Sequence, residues 1–180
     1  DSLNFPTHPS LGMGRRASNI SGLLNGWEIR QNHWLTTPSE TNRAILTDLE
    51  RGANSIELIV GAAGQTELSG ALSGVLLDVA TIAPIGRDDN ERVARDFLTY
   101  AKSRKIGNTD LLADLSCDPI GRFATQGGIK GGINESLTRV GNLADHVVKE
   151  YQHVTTVRID GAPYAHAGAD AVTELASMAS

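Results

Sequence analysis

Thr37-Pro38-Ser39-Glu40-Thr41-Asn42-Arg43-Ala44-Ile45-Leu46-Thr47-Asp48-Leu49-Glu50-Arg51-Gly52, followed two residues later by Ser55-Ile56-Glu57-Leu58-Ile59-Val60, is the stretch on which the fold turns. Thr37 stands where a helix N-cap belongs, Pro38 suits the first helical position, and Glu40 completes a capping box. Thr41, Ile45 and Leu49 fall on one face at helical spacing, and Gly52 supplies the left-handed stop. The apolar run after it is short and rich in β-branched residues, as in a strand. A punctuated helix feeding directly into such a strand is half of an α/β repeat.

The same alternation continues on both sides. Upstream, Trp27–Gln31 is a strand candidate. Downstream, a short helix is expected over Thr66–Ser73, and Val75–Ala80 is a nearly continuous apolar run suited to a strand covered on both faces. Asp88 or Asp89 caps the next helix, with Val93, Phe97 and Ala101 as its stripe and an end near Gly107. Asp110–Leu115 is the fourth strand. After a glycine-rich loop, Asn134 caps a long helix with Leu137, Val140, Ala144, Val147, Val148 and Tyr151 on one side. Thr155–Ile159 is the fifth strand, and a last helix begins near Asp170 with Val172, Leu175, Ala176 and Ala179 as its apolar face.

Five strand–helix units in strict alternation predict a parallel sheet with right-handed crossovers. Two architectures fit, an open doubly wound sheet or part of a TIM-type (β/α)8 barrel. A whole barrel takes about 250 residues, so 180 residues give an incomplete one, whose first and fifth strands need cover. Residues 1–26 carry prolines and glycines with little periodicity and are expected to form an extended arm, in which Arg15-Arg16 lies against a partner or, the favoured reading, is a solvated pair. The barrel-like portion is 27–180. The chain opens without methionine and stops inside a helical pattern, which suggests a fragment or a processed product.

Composition bounds the function. A net charge of −5 with no basic run argues against nucleic acid. No apolar stretch approaches the roughly 20 residues that cross a bilayer, and no secretory signal precedes the first strand. Cys117 alone permits neither an intrachain disulfide nor a thiolate cluster, which suits a cytoplasmic setting.

In parallel α/β folds the working groups lie beyond the carboxyl ends of the strands. Those positions are expected at Asn32 and His33, Gly61 to Gly64, Ala80 to Pro84, Asp118 with Arg122, and Asp160 through His166. Several other patterns are discounted. Gly127-Gly128-Ile129-Lys130-Gly131-Gly132 lacks the ending of a phosphate loop and reads as a flexible loop. His146 and His153 have no third metal ligand, so no metal site is expected. Cys117 has no evident base and reads as a small core residue. Asp78, Asp114 and Asp160 are weak candidates for acid/base work or for a divalent metal, because the first two fall in expected strands.

Gly26-Trp27-Glu28-Ile29-Arg30-Gln31 with Thr37-Pro38-Ser39-Glu40-Thr41-Asn42 resembles the first barrel unit of methylmalonyl-CoA mutases. Val75–Ala80 and Asp118-Pro119-Ile120-Gly121 are similar to later parts of that family. Asp160-Gly161-Ala162-Pro163-Tyr164-Ala165-His166-Ala167-Gly168-Ala169 looks like its fifth strand-to-helix turn and is the most specific match. The resemblance implies an isomerase barrel that threads the pantetheine arm of an acyl-CoA, with adenosylcobalamin held above it by a separate domain. It also implies radical isomerisation of methylmalonyl-CoA and succinyl-CoA, a reaction whose reactivity the cofactor supplies.

The chain departs from the catalytic pattern that the resemblance implies. Catalytic members carry a tyrosine after the Arg-Gln dipeptide, where Asn32 stands here. They place Tyr-His after the glycine of the fifth turn, where Ala162-Pro163 stands. No Asp-x-His-x-x-Gly cobalamin signature occurs. The Pro-Tyr form of the turn resembles the non-catalytic small (beta) subunit of heterodimeric mutases. On that resemblance this chain is not catalytically competent alone, binds no cofactor itself, and partners a catalytic large subunit or a second copy. Arg30, Asn32, Tyr164 and His166 are the candidates for substrate contact, and an acyl-CoA is the candidate ligand. The alternatives are part of a catalytic mutase completed by a missing segment, or an unrelated α/β-barrel hydrolase or aldolase using Asp118, Asp160 and His166.

Overall fold

The computed structural model describes residues 28–61, 64–129 and 131–179. The expected arm at 1–26, with Arg15-Arg16, lies outside them, as does Trp27. Five strands, β1 (Arg30–Trp34), β2 (Ser55–Val60), β3 (Thr81–Gly86), β4 (Ala113–Cys117) and β5 (Val154–Val157), form one sheet in the order β1-β2-β3-β4-β5. Every neighbouring pair is parallel. Among the described residues seven helices connect or follow them: α1 (Pro38–Glu50), α2 (Gln65–Ala71), α3 (Asn90–Ser103), α4 (Pro119–Gln126), α5 (Gly132–Glu150), α6 (Ala162–His166) and α7 (Ala171–Ala179). Sequential order excludes the doubly wound alternative, which reverses strand order at a switch point.

The core lies between one face of the sheet and the helices. Ile56, Leu58 and Val60 of β2 meet Ile45 of α1, Leu68 of α2 and Phe97 of α3 in one cluster, each 0–1% exposed. Burial of a side chain the size of Phe97 is worth about 2–3 kcal/mol.

The opposite face is polar and concave. Arg30 of β1 pairs with Asp114 of β4 at 2.9 Å, and Arg158, just past β5, pairs with Glu57 of β2 at 3.1 Å. Each pair steps over three strand intervals, about 14 Å in a flat sheet. An arginine and a carboxylate do not span that distance, so the sheet curls with these residues on its inner side. A curled, all-parallel sheet in sequential order is consistent with part of a barrel wall.

Several expected elements move. β2 lies where the pattern placed it. The first strand runs Arg30–Trp34, later than Trp27–Gln31; the fourth also runs later than Asp110–Leu115, and the fifth starts and ends earlier than Thr155–Ile159. Val75–Ala80 is not a strand. It forms turns in which Val75, Leu77 and Ala80 are buried while Leu76 and Val79 are 61% and 65% exposed, so its apolar run was misread as two-sided cover. The strand is Thr81-Ile82-Ala83-Pro84-Ile85-Gly86, despite a proline that cannot donate to a ladder. Thr81 N donates to Asn54 on the β2 side and Ile82 N to Leu112 on the β4 side. By alternation Pro84 faces β4, where the ladder is a single bridge, Ile82 to Ala113. Its missing N–H therefore falls where little pairing is lost.

Caps differ too. Thr37 is extended at the start of α1, with Pro38 beside it, but its side chain makes no cap hydrogen bond. Gly52 has the expected positive φ, 105°. Asp89 is the cap of α3, accepting from Arg92 N at 3.0 Å, and the helix stops at Ser103, short of Gly107. The N-cap of α5 is Gly131 in the left-handed region, with Asn134 already inside the helix. On that helix Leu143 replaces Leu137 and Val148 in the buried stripe, the latter being 79% exposed. No residue of α7 is buried.

Candidate functional site

The inner face is organised around Asp114. Its Oδ2 accepts from Arg30 at 2.9 Å and from Arg158 at 3.5 Å, while its Oδ1 accepts from Ser116 N and Oγ at 3.1 and 2.8 Å. Arg30 also reaches Ser55 Oγ at 2.8 Å and Glu28 at 3.2 Å. Burial works against the Arg30 charge, but Asp114 and Glu28 outweigh it and hold the guanidinium pKa above its ordinary value. Asn32 donates to Glu57 at 3.3 Å, and Glu57 in turn holds Arg158. Each of these charged groups already has an opposite charge beside it.

Above this face, at the carboxyl ends of β3, β4 and β5, opens a cavity of about 250 Å³. Its wall includes Arg87, Ser116, Asp118, Arg122, Arg158 and Asp160. Asn90, the first residue of α3 and 4% exposed, ties the strand ends together: it accepts from Gly86 N at 2.5 Å and donates to Leu115 and Ser116 carbonyls at 2.9 Å. These bonds stand where the β3–β4 ladder has lapsed. Gly86 is required there, since a Cβ would lie 2.5 Å from the Asp89 carbonyl.

Ser116 has a φ of +50°, unusual for a residue with a Cβ. It sits in the register shift of β4 between Asp114 and Cys117, and the two bonds to Asp114 hold it there. Asp118 caps α4 through Gly121 N at 2.8 Å and fixes the next loop through Asp160 N at 3.1 Å. Asp160 accepts from Ala162 N at 3.0 Å. Cys117 is buried, and burial pushes its thiol up to about 11, so it is no nucleophile at neutral pH.

The expected site residues divide into two places. Arg30 and Asn32 lie on the inner face, within β1 rather than beyond its end. His33, also expected on the rim, points to the helical side and meets Asp48 of α1 at 3.1 Å. Ala80 to Pro84 precede or form β3 instead of following it. Ala162, Pro163, Tyr164 and His166 form α6, a single turn beyond β5 in which Pro163 alone lines the cavity and His166 is exposed.

Asp118, Arg122 and Asp160 do stand on the rim as expected. Both carboxylates are engaged by backbone amides, the work of loop-fixing groups. His153 precedes β5 and is not on the helix that carries His146. No group of three or more metal-ligating side chains occurs among the described residues, and none of their helices is long and apolar enough to cross a membrane.

Sequence reasoning missed Arg87, Asn90 and Arg158. Arg87 would have emerged had β3 been placed at Thr81–Gly86, since it is then the first residue beyond the strand. Arg158 held the same position after β5. Asn90 looked only like the residue after a cap.

A curled wall of parallel strands, backed by helices and bearing a polar inner face and rim cavity, defines a parallel α/β protein with its candidate site at the strand carboxyl ends. The chain belongs to the methylmalonyl-CoA mutase family, whose model matches residues 60–179. It is 34% identical over 157 residues to the methylmalonyl-CoA mutase small subunit of Streptomyces virginiae, covering 86% of this chain and 25% of that relative. It is 31% identical over 173 residues to the small subunit of Propionibacterium freudenreichii subsp. shermanii, covering 94% of this chain and 26% of that protein. The chain thus spans about a quarter of the length of the curated relatives it matches.

Proposed function

We propose that this chain is a wall segment of the substrate barrel of a structural small subunit, supporting a catalytic large subunit of an adenosylcobalamin-dependent methylmalonyl-CoA mutase. The observation that carries this reading is the state of the inner face. Arg30 and Asn32, the candidates for acyl-CoA contact on β1, are engaged by Asp114, Glu28 and Glu57. A charge already neutralised by a neighbour gains little from a ligand, which must displace that neighbour first. The positions that carry reacting groups in catalytic members are Asn32, Ala162 and Pro163 here. None of the three offers a phenol or an imidazole for orienting a thioester.

In this reading cobalamin belongs to the assembled enzyme, held by its partner, and Tyr164 and His166 remain candidates for any residual acyl-CoA contact. The names of the small-subunit relatives support a large-subunit partner. A cytoplasmic location follows from the same assignment.

Purification of the protein alone and with a catalytic large subunit tests this. The expected result is a stable complex, with turnover of methylmalonyl-CoA only when the large subunit is present. Turnover, or a cobalt(II) radical signal, from the protein alone with adenosylcobalamin would instead establish the catalytic alternative.

A further inference from the structure

We propose that residues 23–27 of this same chain dock on an apolar strip at the amino ends of β1, β2 and β3 and cover that end of the wall. The strip is made by Ile29, just before β1, and by Leu76 and Val79 in the turn that leads into β3, each more than half exposed. Asn54, just before β2, laces the two sides together. Ile29 N donates to Asn54 Oδ1 at 2.7 Å, and Thr81 N donates to the Asn54 carbonyl at 3.1 Å. The turn is itself fixed, since the Val79 and Ala80 amides donate to the Leu76 carbonyl at 3.2 and 3.0 Å. Large apolar groups gathered on ordered backbone mark a contact surface, whereas scattered ones do not.

The occupant follows from what precedes the strip. The described residues open at Glu28, one residue before Ile29. Immediately ahead stand Leu23-Leu24-Asn25-Gly26-Trp27, three large apolar residues around an Asn-Gly turn signal, with no charge among them. A chain spans at most about 3.6 Å per residue, so Trp27, two residues before Ile29, lies within about 7 Å of it and Leu23, six before, within about 22 Å. A segment tethered that closely has an effective concentration in the millimolar range, which an outside partner would have to outbid.

Docking there has a consequence for the inner face. Glu28 sends its Oε1 to Thr81 Oγ1 at 2.7 Å and its Oε2 to Arg30 at 3.2 Å. Downstream its backbone is tied by the Ile29 bonds to Asn54. A docked Trp27 ties it upstream as well, so the carboxylate that starts the inner-face network is held from both sides. The contact goes beyond the subunit assignment and does not depend on it, since it uses none of the positions that separate catalytic from non-catalytic members.

Trp27 and Trp34 are the two tryptophans of the chain, so Trp34→Phe in the full chain leaves Trp27 as the fluorescent reporter. Its emission is expected to lie to the blue of exposed tryptophan, with acrylamide quenching several-fold weaker than for the free amino acid. Leu76→Asp and, separately, Val79→Asp in that background change exposed side chains and keep the core intact. Each is expected to move the emission to the red and to restore quenching. Val172→Asp, equally exposed but on α7 beyond the other end of β5, should change neither. A Trp27 as open to the quencher as free tryptophan, or protection that survives both aspartates, overturns the proposal. Protection that is lost on dilution also overturns it, because a second copy would then be the cover. None of these results bears on turnover or on assembly with a large subunit.

Discussion

Cys117 closes β4 with its side chain 1% exposed, near the Asn90 amide and the Leu115 carbonyl. Burial pushes its thiol above its ordinary value, up to about 11, and the Asn90 bond opposes the shift without cancelling it. A thiol whose pKa is raised by folding contributes its full share of stability below the unfolded value. Between about pH 9 and 11 the unfolded chain releases the proton while the folded chain keeps it, so stability falls as pH rises. Over that interval the loss amounts to about 2–3 kcal/mol. Urea midpoints at pH 8 and pH 10.5 should therefore separate by less in Cys117→Ala than in the parent. In the native state at pH 8, iodoacetamide should alkylate Cys117 only at the rate of unfolding. Fast native alkylation would contradict the burial. That Cys117 is a core residue was legible in the sequence, because nothing near it could serve as a base. Asn90 was not legible, since its role depends on a gap in the β3–β4 ladder that only three-dimensional register reveals.

At the scale of elements, what the sequence announced depended on whether local chemistry and tertiary context agreed. β2 was legible to the residue because Ser55–Val60 is a short run rich in β-branched residues that begins just after the Gly52 stop of α1. β3 was not, because Val75–Ala80 is the more apolar run and Thr81–Gly86 contains Pro84 and Gly86. The deciding fact was which side of the strand lacks a full ladder, a property of β4 and not of β3. The short helices α4 and α6 begin with Asp118-Pro119 and Gly161-Ala162-Pro163, which read equally well as turns. The two helix starts with the strongest sequence signals also differ in what their caps do. The Asp89 side chain accepts from Arg92 N, whereas at the start of α1 only the Thr37 carbonyl accepts, from Thr41 N, and its side chain makes no cap bond. Asp89→Ala should therefore cost about 1 kcal/mol, the usual value of a working cap, and Thr37→Ala less than about half of that. Equal losses in thermal or urea unfolding would mean that the Thr37 hydroxyl does cap α1 in solution.

For the whole molecule, curvature is the property that decides what the inner face can do, and Asp114 is where it can be measured. The side chain is 14% exposed and joins β1, its own strand and the residue just past β5 through Arg30, Ser116 and Arg158. Asp114→Ala removes the carboxylate that compensates the Arg30 charge in a half-buried place, and it frees Ser116 from the side-chain bonds that hold its left-handed backbone. Loss of one partner from a deeply buried pair costs about 3–5 kcal/mol. Water reaches Arg30 and Arg158, so the expected loss here is smaller, about 2 kcal/mol. Asp114→Asn keeps an oxygen for Ser116 and should recover part of it. Glu135→Ala, which breaks an exposed pair with Arg139 on α5, should cost no more than about 0.5 kcal/mol. Urea unfolding at constant m-value measures all three. If Asp114→Ala were as mild as Glu135→Ala, Arg30 and Arg158 would not be meeting across a concave sheet, and their side chains would be free for ligands. That result would also remove the support for the proposed structural role, which rests on the inner-face charges being paired with one another.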